Sequence, residues 1–199
     1  MTQDGVASEL RCGVVVDATG RTATFASRQG ARKEGVDRLV GLFRFYDLAG
    51  VTADSTTLVE SQEYGWWYSA ALPDGKLAVA LMTDADIASE NGMRETALWE
   101  RYLAETSETS QRVGSAMPLT EPVLRAAHTQ KLDPATGEGW LAVGDALAAY
   151  DPLAALGIFK AVKMGRYASY AIADALRGQV EGLRKYDALA AAERSEEHT

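Results

Sequence analysis

The chain of 199 residues has few of the residues that build disulfide frameworks or metal sites. Its single cysteine, Cys12, excludes an intrachain disulfide and fits a reducing compartment, so we expect a cytoplasmic protein. The sequence contains only two histidines, and neither has a partner at metal-ligand spacing. We therefore expect no bound metal.

Basic charge and long apolar runs are also scarce. The chain carries 20 Lys and Arg against 28 Asp and Glu, a net charge of -8, whereas nucleic-acid binders normally present a basic face. The most apolar stretch, residues 140–149, is interrupted by Asp145 and is too short to span a membrane. With 47% hydrophobic and 24% charged residues, the composition is that of an ordinary globular protein with one or two domains.

The most informative stretch is residues 139–158, which read GWLAVGDALAAYDPLAALGI. Its apolar start predicts a buried strand over residues 140–143 that ends immediately before Asp145. A helix is expected from Leu156 to Leu176, entered through Gly157. A carboxylate just past a strand suits a polyol hydroxyl, and a nearby helix N-terminus offers free N–H donors. This pattern predicts a site for an oxygen-rich or anionic ligand.

A second motif lies at residues 11–21, which read RCGVVVDATGR. The β-branched residues 14–16 predict a short strand, and Asp17 to Gly20 form the turn that ends it. Taken alone this motif is common in α/β proteins, and it fits a ligand-free turn equally well.

In this order, and separated by a β-rich segment, the two motifs resemble those of FAD-dependent monooxygenases, flavin halogenases of the tryptophan-halogenase kind and geranylgeranyl-reductase-like oxidoreductases. The resemblance covers nearly the whole chain up to about Arg194. It implies an α/β fold of the glutathione-reductase-like FAD-binding type with an inserted antiparallel substrate-side sheet. The family's fold begins with a strand, a G-x-G-x-x-G turn and a helix, and no G-x-G-x-x-G occurs here.

The resemblance implies FAD as the cofactor and assigns its contacts. Asp145 would hold the ribityl chain, and the backbone N–H groups of Gly157 and Ile158 would face the N1–C2=O edge of the isoalloxazine ring. The turn after residue 17 would approach the cofactor through its backbone, with Thr19 offering a hydroxyl. The expected cofactor-binding residues are Ala18, Thr19, Gly20, Gly144, Asp145, Ala146, Pro152, Leu156, Gly157 and Ile158.

Each of these assignments has a structural alternative. Asp145 could be a turn or N-cap aspartate, and Pro152 could mark an ordinary helix start. Relatives often have Ser and Gly between this proline and the final glycine, where this chain has Ala154, Ala155 and Leu156. No polar side-chain contact is therefore expected from those three positions.

An aromatic strand is predicted at residues 65–72, GWWYSAAL. Alternation along a strand puts Trp66 and Tyr68 on one face and Trp67 on the other. The segment resembles a Trp-rich strand of halogenase-like flavoproteins, which implies that Trp66 and Tyr68 line a substrate pocket. The alternative is packing alone, because aromatic side chains bury large areas.

The rest of the pattern gives an element order. We expect helices over residues 22–29, 94–105, 121–127 and 180–192, strands over 38–46, 56–64 and 77–82, and a turn at 73–76. With the aromatic strand this makes an antiparallel sheet of three or four strands. Residues 86–92 are expected to be a loop and residues 107–118 irregular.

These observations predict a domain organisation. Residues 1–35 and 129–193 would form two pieces of the FAD domain, and residues 36–128 the substrate-side region. Residues 194–199 would be a non-native tail, because RSEEHT is what a common sequencing adapter encodes, although a charged helix end would look the same. Without the glycine-rich unit, the strands at 14–16 and 140–143 would lack their central parallel neighbour.

The expected function is that of a fragment of an FAD-dependent oxidoreductase, of monooxygenase or halogenase type, acting on a small organic substrate. NAD(P)H or a flavin reductase would supply electrons. Two alternatives stay open: a flavoprotein that matures a partner enzyme by modifying its side chains, and an inactive truncated chain without FAD.

Overall fold

The computed structural model describes residues 2–3, 6–7, 9–48, 50 and 54–195. The chain divides into two compact units. Unit 1 combines residues 1–36 with 129–199, and unit 2 comprises residues 37–128. Of the predicted tail, residues 196–199 lie outside the described part, whereas the backbone of residues 194 and 195 continues the last helix.

The strands of the described residues are, in chain order, β1 (Thr2–Gln3), β2 (Val6–Ala7), β3 (Val15–Asp17), β4 (Arg32–Gly35), β5 (Leu39–Asp47), β6 (Leu58–Gln62), β7 (Gly65–Ala71), β8 (Lys76–Asp84), β9 (Met117–Pro118), β10 (Val123–Ala126), β11 (Gln130–Asp133), β12 (Thr136–Gly137), β13 (Trp140–Ala142) and β14 (Ala148–Ala149). The α-helices are α1 (Thr24–Arg28), α2 (Ala85–Glu90), α3 (Thr96–Ala104), α4 (Glu108–Val113), α5 (Gly157–Leu176) and α6 (Glu181–Ser195).

Unit 1 is built on small sheets covered by helices. β13 lies between β12, with which it is antiparallel, and β3, with which it is parallel. A second sheet has the order β14-β11-β4. Many of the buried core positions are alanines, among them Ala26, Ala142, Ala146, Ala168 and Ala190. Such small side chains allow close approach of the backbones, as at the α5–α6 crossing, where a Cβ on Gly182 would lie 3.1 Å from the Cα of Ala171.

Unit 2 is an antiparallel sheet backed by helices. Within the described residues the sheet has six strands, in the order β10-β5-β8-β7-β6, with β9 also paired to β5. Its core contains large side chains such as Leu42, Trp67, Leu81 and Trp99. The Trp99 Nε1–H donates to the Tyr46 hydroxyl at 3.0 Å, which fixes α3 to β5 through a buried polar contact.

The sheet of unit 2 is larger than the predicted three or four strands, and one expected helix is wrong. Residues 121–127 contain β10 instead, which pairs antiparallel with β5 from Val123↔Phe43 to Ala126↔Val40. Leu, Arg and Ala favour a helix locally, but Pro122 disfavours helical backbone at Glu121. Pairing with the edge of β5 then makes this segment a strand.

Two further local predictions are wrong. Residues 86–90 of the loop expected at 86–92 belong to α2, and the segment expected to be irregular contains α4. The Glu60 carboxylate accepts from the backbone N–H groups of Ser107 at 2.6 Å and Thr109 at 2.8 Å, and so binds the first turn of α4. A cap supplied from a distant strand is invisible in local sequence.

The sequence predicted that the two motif strands would lack their central parallel neighbour. β3 and β13 pair directly and in parallel, with Trp140↔Val15 and Ala142↔Asp17 in register. Among the described residues, β3 has β13 as its partner on one side and no strand on the other. The open edge therefore lies beside β3 rather than between the two strands.

Candidate functional site

The two sequence motifs meet at the carboxyl ends of the parallel strands. The Val143 N–H donates to the Asp17 carbonyl at 3.0 Å, directly after β13 and at the last residue of β3. The short 3-10 turns Gly20–Thr22 and Gly144–Ala146 follow the two strands. In α/β proteins this edge is where ligands bind, because the turns there present backbone groups and side chains together.

The Asp17 side chain holds the first turn through hydrogen bonds. Its carboxylate is buried and accepts from the Thr19 N–H at 2.9 Å, the Thr19 hydroxyl at 2.6 Å and the Ala26 N–H at 2.8 Å. Burial raises the pKa of Asp17, but these hydrogen bonds outweigh burial and hold the pKa below its ordinary value. The aspartate of the motif is thus an anchor for the turn and for α1.

The hydroxyl of Thr19 has partners within the turn. It donates to Asp17 and accepts from the Thr24 N–H at 2.7 Å. Ala18 and Thr19 are exposed, and Gly20 has a φ of 67°, which favours glycine. Backbone atoms of the exposed turn are therefore accessible to a ligand. The Thr19 hydroxyl, which was expected to contact the cofactor, instead forms its hydrogen bonds within the turn.

The second turn exposes a carboxylate between two packed residues. Gly144 has a φ of 56°, and a Cβ there would lie 3.7 Å from the Cβ of Ala161 on α5. Ala146 is buried, whereas Asp145 is exposed. The N-cap of this turn is Val143, and the described residues provide no hydrogen bond in which Asp145 caps a helix. The arrangement leaves the Asp145 carboxylate able to accept from a ligand.

The segment before α5 is ordered by an aspartate that the sequence analysis did not single out. The Asp151 carboxylate accepts from the Leu153 N–H at 2.8 Å and caps the 3-10 turn Pro152–Ala154. An aspartate directly before proline is a helix-start signal that could have revealed it. Ala155 then adopts a left-handed conformation with a φ of 52°, and Leu156 serves as the N-cap of α5.

The N-terminus of α5 is open. The N-cap residue, Leu156, has an apolar side chain that cannot accept from the N–H groups of the first turn. Leu156 is 41% exposed and Ile158 is 84% exposed, and Gly157 is exposed too. The start of this 20-residue helix can therefore receive an oxygen or an anion.

A small cleft joins the second turn to α5. It is lined by Gly144, Tyr150, Gly157, Lys160, Met164 and Glu193, among others. The Lys160 ammonium lies 3.6 Å from the centre of the Tyr150 ring, within cation–π distance. The positive charge of Lys160 therefore lies in the same cleft as Gly144 and the start of α5. The two sequence motifs did not indicate this charge.

The aromatic strand belongs to unit 2, where the two faces of β7 differ. Trp67 is fully buried and packs edge-to-face on Trp99, with ring centres 4.9 Å apart. Trp66 and Tyr68 are half-buried on the opposite face, in a cluster that contains Met82 and Phe43. The structure thus separates Trp66 and Tyr68 from the helix-covered core.

Other site classes find no support in the described part of the chain. No group of three or more His, Cys, Asp or Glu side chains there is placed to hold a metal ion. None of the described helices is long and apolar enough to cross a membrane.

Comparison with known proteins identifies the relatives of this chain, although no family model matches it. LodB of Marinomonas mediterranea, assigned to the FAD-dependent oxidoreductases, is 34% identical over 148 residues, which cover 74% of this chain and 40% of LodB. The 1H-pyrrole-2-carbonyl-[peptidyl-carrier protein] brominase of Pseudoalteromonas luteoviolacea is 28% identical over 195 residues, covering 88% of this chain and 45% of the brominase.

Solved structures agree on the fold. The myxobacterial chondrochloren halogenase CndH, an FAD-dependent halogenase, matches with a TM-score of 0.82 at 19% identity, over 97% of this chain and 47% of CndH. As a partial chain, this protein fits the superfamily of FAD-dependent oxidoreductases and flavin halogenases. It spans less than half the length of each of these three relatives.

Proposed function

We propose that this chain is the cofactor-contacting and substrate-side part of an FAD-dependent oxidoreductase of monooxygenase or halogenase type. The observation that carries the proposal is the junction of the two motif turns at the carboxyl ends of β3 and β13, beside α5. When bound, the flavin would supply the redox chemistry, and the protein would supply binding, orientation and electrostatics.

The residues present fit such a cofactor. Asp145 is an exposed carboxylate able to accept hydrogen bonds from ribityl hydroxyls. At the start of α5, the N–H groups of Gly157 and Ile158 would stabilise negative charge on a flavin carbonyl. Ala18 to Gly20 would contribute backbone contacts, and Pro152 would set the entry to α5.

The cofactor's diphosphate requires a partner that this sequence lacks. A glycine-rich turn at a helix start holds that group in the family resembled, and no G-x-G-x-x-G is present here. The open edge of β3 and the 44% exposed side chain of Val16 are consistent with a further strand beside it. We propose that FAD binding is complete only with an additional segment.

The substrate is proposed to be a small organic molecule that contacts the Trp66 and Tyr68 face, with electrons from NAD(P)H or a flavin reductase. Trp66→Phe should change the range of accepted substrates, whereas Trp67→Phe should mainly lower stability. Turnover of small aromatic and aliphatic substrates by both variants measures this. If the protein modifies side chains of a partner enzyme and no small molecule, it is a flavoprotein that matures that partner, and the small-molecule proposal is wrong.

The central experiment concerns Asp145 in the protein expressed from its complete coding region. FAD should co-purify, and Asp145→Ala should weaken FAD binding roughly tenfold or more, because a charge-assisted hydrogen bond is worth about 1.5–3 kcal/mol. Glu138→Gln is the control, since Glu138 is an exposed acid just before β13, at the opposite end of the same strand. Fluorescence titration that finds equal affinity in the parent and Asp145→Ala would rule out the role of Asp145.

A further inference from the structure

The last helix, α6, holds the strand that carries the candidate cofactor turn. The Tyr186 hydroxyl donates to the carbonyl of Ala142 at 2.7 Å, and Tyr186 is only 1% exposed. Ala142 is the last residue of β13 and stands three positions before Asp145. Burial raises the pKa of Tyr186 above an ordinary value that already keeps its hydroxyl protonated at physiological pH.

A second contact from α6 reaches the same strand end indirectly. The Asp187 carboxylate accepts from the Ala135 N–H at 3.0 Å. The Ala135 carbonyl in turn accepts from the Ala142 N–H at 3.0 Å. Both backbone polar groups of Ala142 are thus linked to α6, one directly through Tyr186 and one through Ala135.

The same helix is closely packed on α5. Gly182, near the start of α6, lies so close that a Cβ there would be 2.8 Å from the Cβ of Asp174 and 3.1 Å from the Cα of Ala171. Further along, Ala190 and Glu193 of α6 line the same cleft as Gly144 and Gly157, the first residue of α5.

We propose that Tyr186 is a positioning residue that fixes the 144–146 turn, and with it the Asp145 carboxylate, relative to the start of α5. The proposal rests on the proposed function of Asp145 as a flavin ligand. Tyr186 itself touches no cofactor; it acts through the Ala142 carbonyl. Loss of its hydroxyl leaves a buried carbonyl without that donor and loosens the strand end from α6.

The test compares two equally conservative variants in the protein expressed from its complete coding region. Tyr186→Phe removes the contact with Ala142, and Tyr46→Phe removes the equally buried hydroxyl that accepts from Trp99 in unit 2. Both should lower the Tm by a similar amount, because each loses one buried hydrogen bond. Only Tyr186→Phe should weaken FAD binding, by about three- to tenfold, and alter the visible spectrum of the bound flavin.

Hydrogen exchange in the flavin-free protein provides a readout that needs no cofactor. Amides of residues 144–147 should exchange roughly tenfold faster in Tyr186→Phe than in the parent, and at the parent rate in Tyr46→Phe. Unchanged exchange at these residues, or equal loss of FAD affinity in both variants, overturns the proposal. If the parent protein binds no FAD, the proposed function fails, and the exchange rates alone decide whether Tyr186 positions the turn.

Discussion

The two units differ in how completely they cover their own apolar surface. In unit 2 the large side chains Trp67, Trp99 and Leu42 are fully buried between the sheet and its helices. In unit 1 the core is rich in alanine, and α5 leaves Phe159 64% exposed and Val162 69% exposed. Since hydrophobic stabilisation scales with buried apolar area, unit 2 should be the more stable of the two when the chain is alone.

This difference has a functional meaning. The candidate cofactor residues lie in unit 1, where the turns are exposed and Asp145 lacks an internal role as a helix cap. Regions that bind ligands are commonly drawn from the less stable parts of a protein. If unit 1 holds the flavin as proposed, its stability should rise on binding, whereas the stability of unit 2 should not depend on the cofactor.

The largest expected effect concerns the chain expressed alone. It should be colourless and aggregated, because the diphosphate-binding turn is absent and the open edge of β3 and the apolar face of α5 are exposed. Absorbance and size-exclusion chromatography measure this, with the protein from the complete coding region as control. A yellow, monodisperse monomer with flavin near 1:1 would contradict both the prediction and the contrast between the units.

The next largest effect tests the core of unit 2. Trp67→Ala should lower the free energy of unfolding by about 3–5 kcal/mol, because it removes a fully buried aromatic ring that packs on Trp99. Trp66→Ala is the matched control on the other face of β7 and should cost less than half as much. Urea denaturation followed by far-UV circular dichroism distinguishes them, and equal losses would show that both faces are core.

A smaller effect concerns pH. Burial raises the pKa of Glu60, but hydrogen bonds from Thr109 and Ser107 outweigh it, and the pKa lies below its ordinary value of 4.5. The contribution of Glu60 to stability is thus fully present above about pH 4.5 and is lost as pH falls through the lowered value. Glu60→Gln should cost about 1 kcal/mol at pH 7 and reduce this acid sensitivity.

The control for Glu60 is Glu63→Gln, an exposed glutamate just past the end of β6. It should leave both stability and pH dependence unchanged. Thermal unfolding between pH 3 and pH 7 provides the measurement. An identical pH profile for the parent and Glu60→Gln would mean that the carboxylate does not stabilise α4.

The smallest expected effect lies in unit 1. Ala155 has a φ of 52°, which costs a residue with a Cβ about 1 kcal/mol relative to glycine. Ala155→Gly should therefore raise stability slightly, by about 0.5–1 kcal/mol, and leave FAD affinity within twofold. Ala154→Gly, one residue earlier in the 3-10 turn, should not be stabilising. If both variants behave alike in thermal unfolding, the conformation of Ala155 is not strained.

The sequence was informative wherever the signal is local. Alternation and the turn at Asp74 and Gly75 predicted β7 and β8, and the small-residue run ending near Gly178 predicted α5. β10 and α4 were missed because their structure depends on distant partners, the edge of β5 and the Glu60 carboxylate. Their own residues favour other conformations or none.

The candidate site shows the same division. Motif order predicted the superfamily and the superfamily's fold, which the comparisons confirm. The assignments of Asp145 and of Pro152 to Ile158 to FAD stay predictions. The anchoring by Asp17 and the contact of Tyr186 with Ala142 required coordinates, because both join residues whose partners are set by tertiary packing.

The parallel pairing of β3 with β13 also sets an order of assembly. The two strands lie far apart in the sequence, and residues 37–128 are synthesised between them. During synthesis, β3 cannot pair until β13 has emerged from the ribosome, by which time all of unit 2 is outside. Closing a long flexible loop between two strands is slow. If unit 2 has already folded, the flexible part of that loop is shorter, and the two strands meet more readily. The edge where the two motif turns meet is therefore expected to form late.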